Sequence, residues 1–327
     1  MPGSRLRAAL EREPFVLTEG AVIERLSREP GLPLDLYILH ARLVYDERGR
    51  RALGRIYRGY LEVGRRHDLP MIVLTPTWRA SAARLERAGF PRADPVNADC
   101  ARFLRELVVE YGGYARSVHV GGLMGCVGDA YRPQEALSRK EATRAHAPQA
   151  RALAEAGVDF LLASTLPALS EAAGMAEAMA AAAAAAEDGL PYLLSFVVRP
   201  EGTLLDGMPL HRAVREIDAS ASPPPLCYLL NCVHPTVYAQ AMQAQLGLDP
   251  TLCERVVGLQ GNTSCRSPEE LDALSWLDSE EPESFAAAML ALHRDLGARV
   301  LGGCCGTDER HIEWIARGIV QHFTAKT

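Results

Sequence analysis

Eight short apolar runs, each followed by a longer amphipathic or alanine-rich stretch, recur along the chain, and this alternation restricts what it can fold into. The runs are Phe15–Thr18, Met71–Thr75, Ser117–Val120, Asp159–Ala163, Tyr192–Phe196, Leu226–Leu230, Val256–Leu259 and Arg299–Gly302. Such lengths suit buried parallel strands, which need a helical crossover between neighbours. Glu141–Ala156 and Glu171–Ala186 supply two of the crossovers. The alanines from Ala180 to Ala186 read as helix because alanine is the best helix former, with Gly189 and Pro191 as the stop. No Gly-x-Gly-x-x-Gly follows the first run, which favours a closed barrel over a doubly wound dinucleotide fold. The expectation is a single α/β domain over residues 1–327, a (β/α)8 TIM barrel, with Ser222-Pro223-Pro224-Pro225 as a stiff turn and not a linker.

Composition excludes several classes. With 48% hydrophobic and 23% charged residues the chain has the balance of a packed globular protein, neither disordered nor fibrous. Its 41 acidic and 35 basic side chains are interspersed and sum to −6, so no basic stripe is available for a phosphate backbone, and nucleic acid is not an expected partner. No run approaches 18 uncharged apolar residues, and Met1-Pro2-Gly3-Ser4-Arg5 has no apolar signal region, so no membrane span is expected and the chain reads as cytoplasmic. The Arg-rich segment Arg42–Arg66 reads as a solvated helical face. Nothing in a single sequence specifies an oligomeric state.

In barrels of this kind chemistry sits at the C-terminal ends of the strands, so residues just after the runs are the functional candidates. Two segments stand out: Leu301-Gly302-Gly303-Cys304-Cys305-Gly306-Thr307 and Leu230-Asn231-Cys232-Val233-His234-Pro235. The ends of strands six and eight have one strand between them, so Cys232, Cys304 and Cys305 can converge. Zinc accepts tetrahedral sulfur ligation, and three protein ligands with an open fourth position mark a catalytic site. A Cys304–Cys305 redox pair is the competing reading. Cys100, Cys126, Cys227, Cys253 and Cys265 read as small buried hydrophobes. Zinc strips the proton from a coordinated thiol, and three thiolates leave the ion at about −1, so a fourth, exogenous sulfur stays electron-rich and nucleophilic.

On these residues the chain resembles the homocysteine S-methyltransferase family over nearly its whole length. Asn231-Cys232 and Gly302–Gly306 match the family's Asn-Cys and Gly-Gly-Cys-Cys-Gly, which imply the three zinc thiolates. Glu19-Gly20 falls at the family's glycine-rich first loop, Thr75–Ser81 is similar to its Thr-x-Thr-aromatic-x-Ala-Ser segment, and His146, Gln149 and Ala156-Gly157-Val158-Asp159 follow in order. Ser195-Phe196, Asp206-Gly207 and His311-Ile312 match as well. The resemblance implies a zinc-dependent barrel that transfers a methyl group from a small donor to homocysteine, forming methionine. With no length after the barrel for a cobalamin or folate domain, the expected donor is freely diffusing: S-methylmethionine, S-adenosylmethionine or a betaine. Both partners are then small molecules, a thiol acceptor and a methyl donor.

Two departures matter. The family's Glu-Thr-Ile-Pro, whose carboxylate is implied to hold the homocysteine amino group, reads Ser164-Thr165-Leu166-Pro167 here, and Thr18-Glu19-Gly20 replaces Asp-Gly-Gly. Glu19 is the candidate to take over the amino group, against a solvated loop carboxylate. Ser164, Thr165 and Gly20 are further acceptor contacts, and Asn262 matches an asparagine near the metal, against a plain turn residue. Trp78 and Arg79 are candidates for a cationic donor and its carboxylate, against ordinary packing. Gly122, Gly125 and Gly128 match the third-loop glycines. The missing carboxylate leaves open a different thiol acceptor or a non-catalytic zinc- or thiol-binding relative.

Overall fold

The computed structural model describes residues 2–90, 94–186, 189–267, 270 and 277–324. The strands are β1 (Val16–Thr18), β2 (Met71–Leu74), β3 (Val118–Gly125), β4 (Phe160–Leu166), β5 (Tyr192–Phe196), β6 (Cys227–Asn231), β7 (Val256–Gly261) and β8 (Val300–Gly303). They pair in chain order into a closed parallel barrel, which β8 completes against β1 through Val16↔Val300 and Leu17↔Leu301. Every apolar run is a strand. β3 and β4 continue past their runs, with the ladder extending from Gly121↔Phe160 to Gly125↔Ser164. Of these added positions, Leu123, Ser164 and Thr165 line the cleft at the barrel mouth.

Alternation along the strands separates two cores. Val16, Ile72, Leu74, Phe160, Leu162, Leu193, Leu229, Val257 and Val300 fill the barrel. Their neighbours, among them Leu17, Val73, Val120, Leu161, Leu194 and Leu301, pack outward on the helices. A helix at Pro2–Arg12, which the sequence reading did not anticipate, sends Leu6 and Leu10 into the inner core. Arg5 ties it down by donating to the carbonyls of Arg116 and Val118, and Arg299 donates to that of Leu10. The N-terminal end of the barrel is thereby covered.

The expected crossovers are helices at Arg139–Glu155 and Leu169–Ala185. The first opens with a reciprocal capping box between Ser138 and Glu141, which satisfies two otherwise free backbone donors. The Arg-rich segment is largely the helix Glu47–His67, whose Arg50, Arg58 and Arg66 pair with Glu106, Glu110 and Glu313 at the surface. Among the described residues no helix is long and apolar enough to cross a membrane.

Candidate active site

The three cysteines are brought together by two loop constructions. β6 ends in Asn231, and the chain turns through Cys232 at φ +55°. This left-handed conformation costs a residue with a side chain about 1–3 kcal/mol and is retained only where the surroundings enforce it. Here the Cys232 N–H donates to the Gln260 carbonyl (3.1 Å). Asn231 braces the same corner: its Oδ1 accepts from Ser195 Oγ (2.7 Å) and the Thr165 N–H (3.1 Å), and its Nδ2 donates to Thr165 Oγ1 (2.8 Å). Thr165 is itself held at φ +63°.

After β8, the Cys304 N–H donates to the Gly261 carbonyl (2.7 Å), and Thr263 N–H donates to the Cys305 carbonyl (3.2 Å). Thr307 Oγ1 donates to the Cys304 carbonyl (2.6 Å) and accepts from the Ala21 N–H (3.0 Å), while Gly306 N–H reaches the Glu24 carboxylate (2.8 Å). A Cβ on Gly303 would collide with the Thr307 side chain, so the glycine beside the double cysteine is required for this close turn.

The three Sγ atoms lie within 4.8 Å of one another, the one such cluster of metal-ligating groups among the described residues. Cys232 and Cys304 are 2.6 Å apart and Cys304 and Cys305 4.0 Å apart. Tetrahedral zinc with Zn–S bonds near 2.3 Å separates its sulfurs by about 3.8 Å, so the trio suits such an ion once the Cys232–Cys304 pair spreads by about 1.2 Å. Hydrogen bonds from Cys304 and Cys305 favour the thiolate of Cys232, and interaction with that charge pushes the ionisation of the other two well up. The trio by itself thus favours one negative charge, and three thiolates call for a cation.

The trio opens on a cleft of about 310 Å³ at the barrel mouth. Glu19, Gly20, Trp78, Ser164 and Thr165 line it together with the cysteines. Glu19 is buried and, among the described residues, carries no ion pair; burial raises its carboxyl well above the ordinary range, against the N–H of Leu74 (2.9 Å), which lowers it. Among the described residues no Lys or Arg lines this space. The Ser164 hydroxyl has one weak contact, with Thr165 Oγ1 at 3.5 Å. Trp78 donates from its indole to the Ser164 carbonyl (3.3 Å), and a Cβ on Gly125 would meet that indole.

Arg79 and Asn262 are not brought into the cleft lining. The Arg79 guanidinium donates to the carbonyls of Cys126 (2.7 Å) and Gly128 (2.6 Å), with its centre 4.1 Å from the Trp78 ring centroid. Asn262 is buried in the turn after β7, where its N–H donates to the Val233 carbonyl.

Sequence reasoning missed Tyr131, His40 and Glu171. Tyr131 lies in the loop after β3, and its hydroxyl faces Cys232. The loop is latched by Glu171, whose Oε1 accepts from the Val127 N–H (2.8 Å) and contacts His146 Nε2 (2.9 Å), and whose Oε2 accepts from the Leu137 N–H (3.2 Å). An aperiodic loop carries no pattern that could announce such contacts. The match at His146 was the available hint, since its ring is the side-chain partner of Glu171.

Fold and site together describe a (β/α)8 barrel with a three-thiol centre beside a small-molecule cleft. The sequence profile of the homocysteine S-methyltransferase family matches residues 16–319, and the chain belongs to that family. Homocysteine S-methyltransferase from Escherichia coli (strain K12) is 26% identical over 315 residues, covering 92% of this chain and 94% of that one. Homocysteine S-methyltransferase YbgG from Bacillus subtilis (strain 168) is 25% identical over 342 residues, with 94% and 95% covered. The fold is that of the homocysteine methyltransferase MmuM from Escherichia coli: the oxidized form superposes with a TM-score of 0.75 at 22% identity over 99% of both chains. Its metallated form gives 0.74 at 22% identity, over 96% of this chain and 99% of that one.

Proposed function

We propose that this chain transfers a methyl group from a small cationic donor to homocysteine, yielding methionine, at a zinc ion held by Cys232, Cys304 and Cys305. The observation that carries this reading is the convergence of three sulfurs on the wall of a cleft lined by no cationic side chain among the described residues. It is consistent with the family and with a relative whose structure is described as metallated. Zinc would supply a thiolate from the acceptor thiol at neutral pH.

The chain's own groups bind and align. Glu19 accepts the acceptor ammonium, with Ser164, Thr165 and the Gly20 backbone around it. Trp78 offers an aromatic face to the cationic donor, and Arg79 acts behind it by fixing the loop after β3. Asn262 shapes the turn beside the centre. The bond from the donor heteroatom to the methyl carbon breaks as the new sulfur–carbon bond forms, and its electron pair returns to the donor; the proton that the acceptor thiol would lose on binding the metal passes to solvent, and no oxidant is needed. Neutralising the donor makes exclusion of water and in-line placement the main demands on the site. The donor is S-methylmethionine, S-adenosylmethionine or a betaine, and the chain acts as one domain in the cytoplasm on small molecules, in methionine biosynthesis.

Ser164 in place of a carboxylate favours a second reading, in which the acceptor is another thiol. The test is metal analysis of the wild type beside C232S and C304S, followed by methionine formation from homocysteine with each donor and turnover of thiols lacking the amino group. Roughly one zinc per chain, lost in both variants together with activity, is the expected result. Zinc retained by the variants refutes the site. Turnover confined to thiols without an amino group selects the second reading, and zinc with no turnover of any thiol leaves a binding protein.

A further inference from the structure

His40 lines the cleft with 2% of its surface exposed, yet among the described residues its Nδ1 has no hydrogen-bond partner. With Nδ1 sealed from solvent, we infer that the ring meets the cleft through its Nε2 edge. A buried N–H without an acceptor is rarer and costlier than an unfilled acceptor lone pair, so the favoured tautomer carries its proton on Nε2. His40 thus offers a free N–H donor to whatever enters.

The chain holds this residue in place by several independent contacts. Asp35 Oδ1 accepts from the N–H groups of Tyr37 (2.8 Å) and Ile38 (3.1 Å). Asp35 and Leu39 exchange both backbone hydrogen bonds, at 3.3 and 3.1 Å. Arg84 donates to the Tyr37 carbonyl (3.1 Å), and the Cys100 thiol approaches the Ala41 carbonyl at 3.7 Å. Leu39, immediately before His40, is forced to φ 48°, ψ −120°, a conformation unfavourable for a leucine. A stapled loop that sustains backbone strain to present an unpartnered side chain is pre-organised for a ligand.

We propose that His40 binds the carboxylate of the methyl donor and so determines which donors the protein accepts. This rests on the methyltransferase reading above. All three candidate donors combine a methyl-bearing cation with a carboxylate, and no Lys or Arg among the described residues lines the cleft to receive that carboxylate. The thiol and ammonium of the acceptor have their own anchors in the cysteines and Glu19. Burial lowers the His40 pKa to about 3, so the ring stays neutral and does not repel the cationic end of the same donor. A neutral donor of hydrogen bonds is the type of group that can accept both.

The experiment compares wild type, H40F and H40Q as metal-loaded proteins. It uses initial rates with homocysteine and, by calorimetry, binding of S-methylmethionine, betaine and the methyl ester of each. H40F is expected to raise the KM of the carboxylate donor and weaken its binding tenfold or more, the usual worth of a hydrogen bond to a charged group, with the homocysteine KM and zinc content unchanged. H40Q, which keeps an N–H donor, should recover part of the loss. The esters should bind wild type and H40F alike. Unchanged donor binding in H40F, an effect on homocysteine KM instead, or equal losses for acid and ester overturn the proposal. Should H40F fold poorly, H40Q against wild type decides by the same acid-to-ester ratio. Absence of turnover in wild type refutes the methyltransferase reading, whereas turnover with no acid-to-ester discrimination refutes only the role of His40.

Discussion

Replacing Glu19 by Gln keeps the shape of a buried side chain, removes its charge and exchanges one acceptor oxygen for an amide NH2. Among the described residues that carboxyl receives one hydrogen bond, from Leu74, and has no ion pair, so most of its bonding capacity is free for a ligand. A hydrogen bond to a charged group is worth about 1.5–3 kcal/mol, and an ammonium on Glu19 has no competing anion supplied by Ser164. At about 1.4 kcal/mol per tenfold, E19Q should raise the homocysteine KM roughly 10- to 150-fold. The assay pairs homocysteine with 4-mercaptobutyrate, the same thiol without its amino group, for which E19Q should change little. Stability should move the other way. A carboxyl whose folded pKa lies above its unfolded value favours the fold at low pH, and that contribution is lost as pH rises through the folded pKa, so wild type is at a disadvantage at neutral pH. E19Q should therefore melt higher than wild type near pH 8, and the difference should shrink towards pH 4. Equal effects on both thiols would refute the assignment of Glu19 to the amino group. A melting gap independent of pH would refute the account of its burial.

The Glu171 latch and the N-terminal plug give two further expectations. E171Q leaves one of the buried donors around it unpaired and should cost about 1–3 kcal/mol in urea denaturation. Burial would raise the Glu171 carboxyl, but hydrogen bonds from His146 and the Val127 backbone outweigh it and hold it below 4.5. Its stabilisation is present above that value and lost as pH falls below it, so the acid destabilisation of wild type should be shallower in E171Q; parallel pH curves would argue against the latch. Leu6 is fully buried beneath the barrel, and L6A should cost about 2–5 kcal/mol with zinc content unchanged; a loss under 1 kcal/mol would mean that the helix does not plug the core.

The legible part of this protein was the part governed by local pattern. Strands such as Tyr192–Phe196 announce themselves because a parallel strand buried on both faces must be apolar at nearly every position. The adjacent thiols at Cys304 and Cys305, set among glycines at a strand end, were equally readable, and closure of the barrel was enough to bring Cys232 to them. Glu19 and Ser164 could be placed at the mouth by strand order. Their burial, and the absence among the described residues of any Lys or Arg in the cleft beside Glu19, could not.

Other features depended on contacts between residues far apart in the chain. The plug at Pro2–Arg12 looks like an ordinary amphipathic segment until Leu6 and Leu10 meet the inner core. Arg79 and Trp78 are neighbours in sequence, yet one lines the cleft and the other faces the carbonyls of Cys126 and Gly128. Tyr131 reaches Cys232 because Glu171 draws in its loop from another helix, and His40 is aimed by a strained Leu39. Periodicity and motif report the local requirement that apolar faces be buried and that ligands sit at strand ends. Which polar groups remain unpartnered is settled only when every donor and acceptor in three dimensions has been matched, and in this cleft the unmatched ones are those left to meet a substrate.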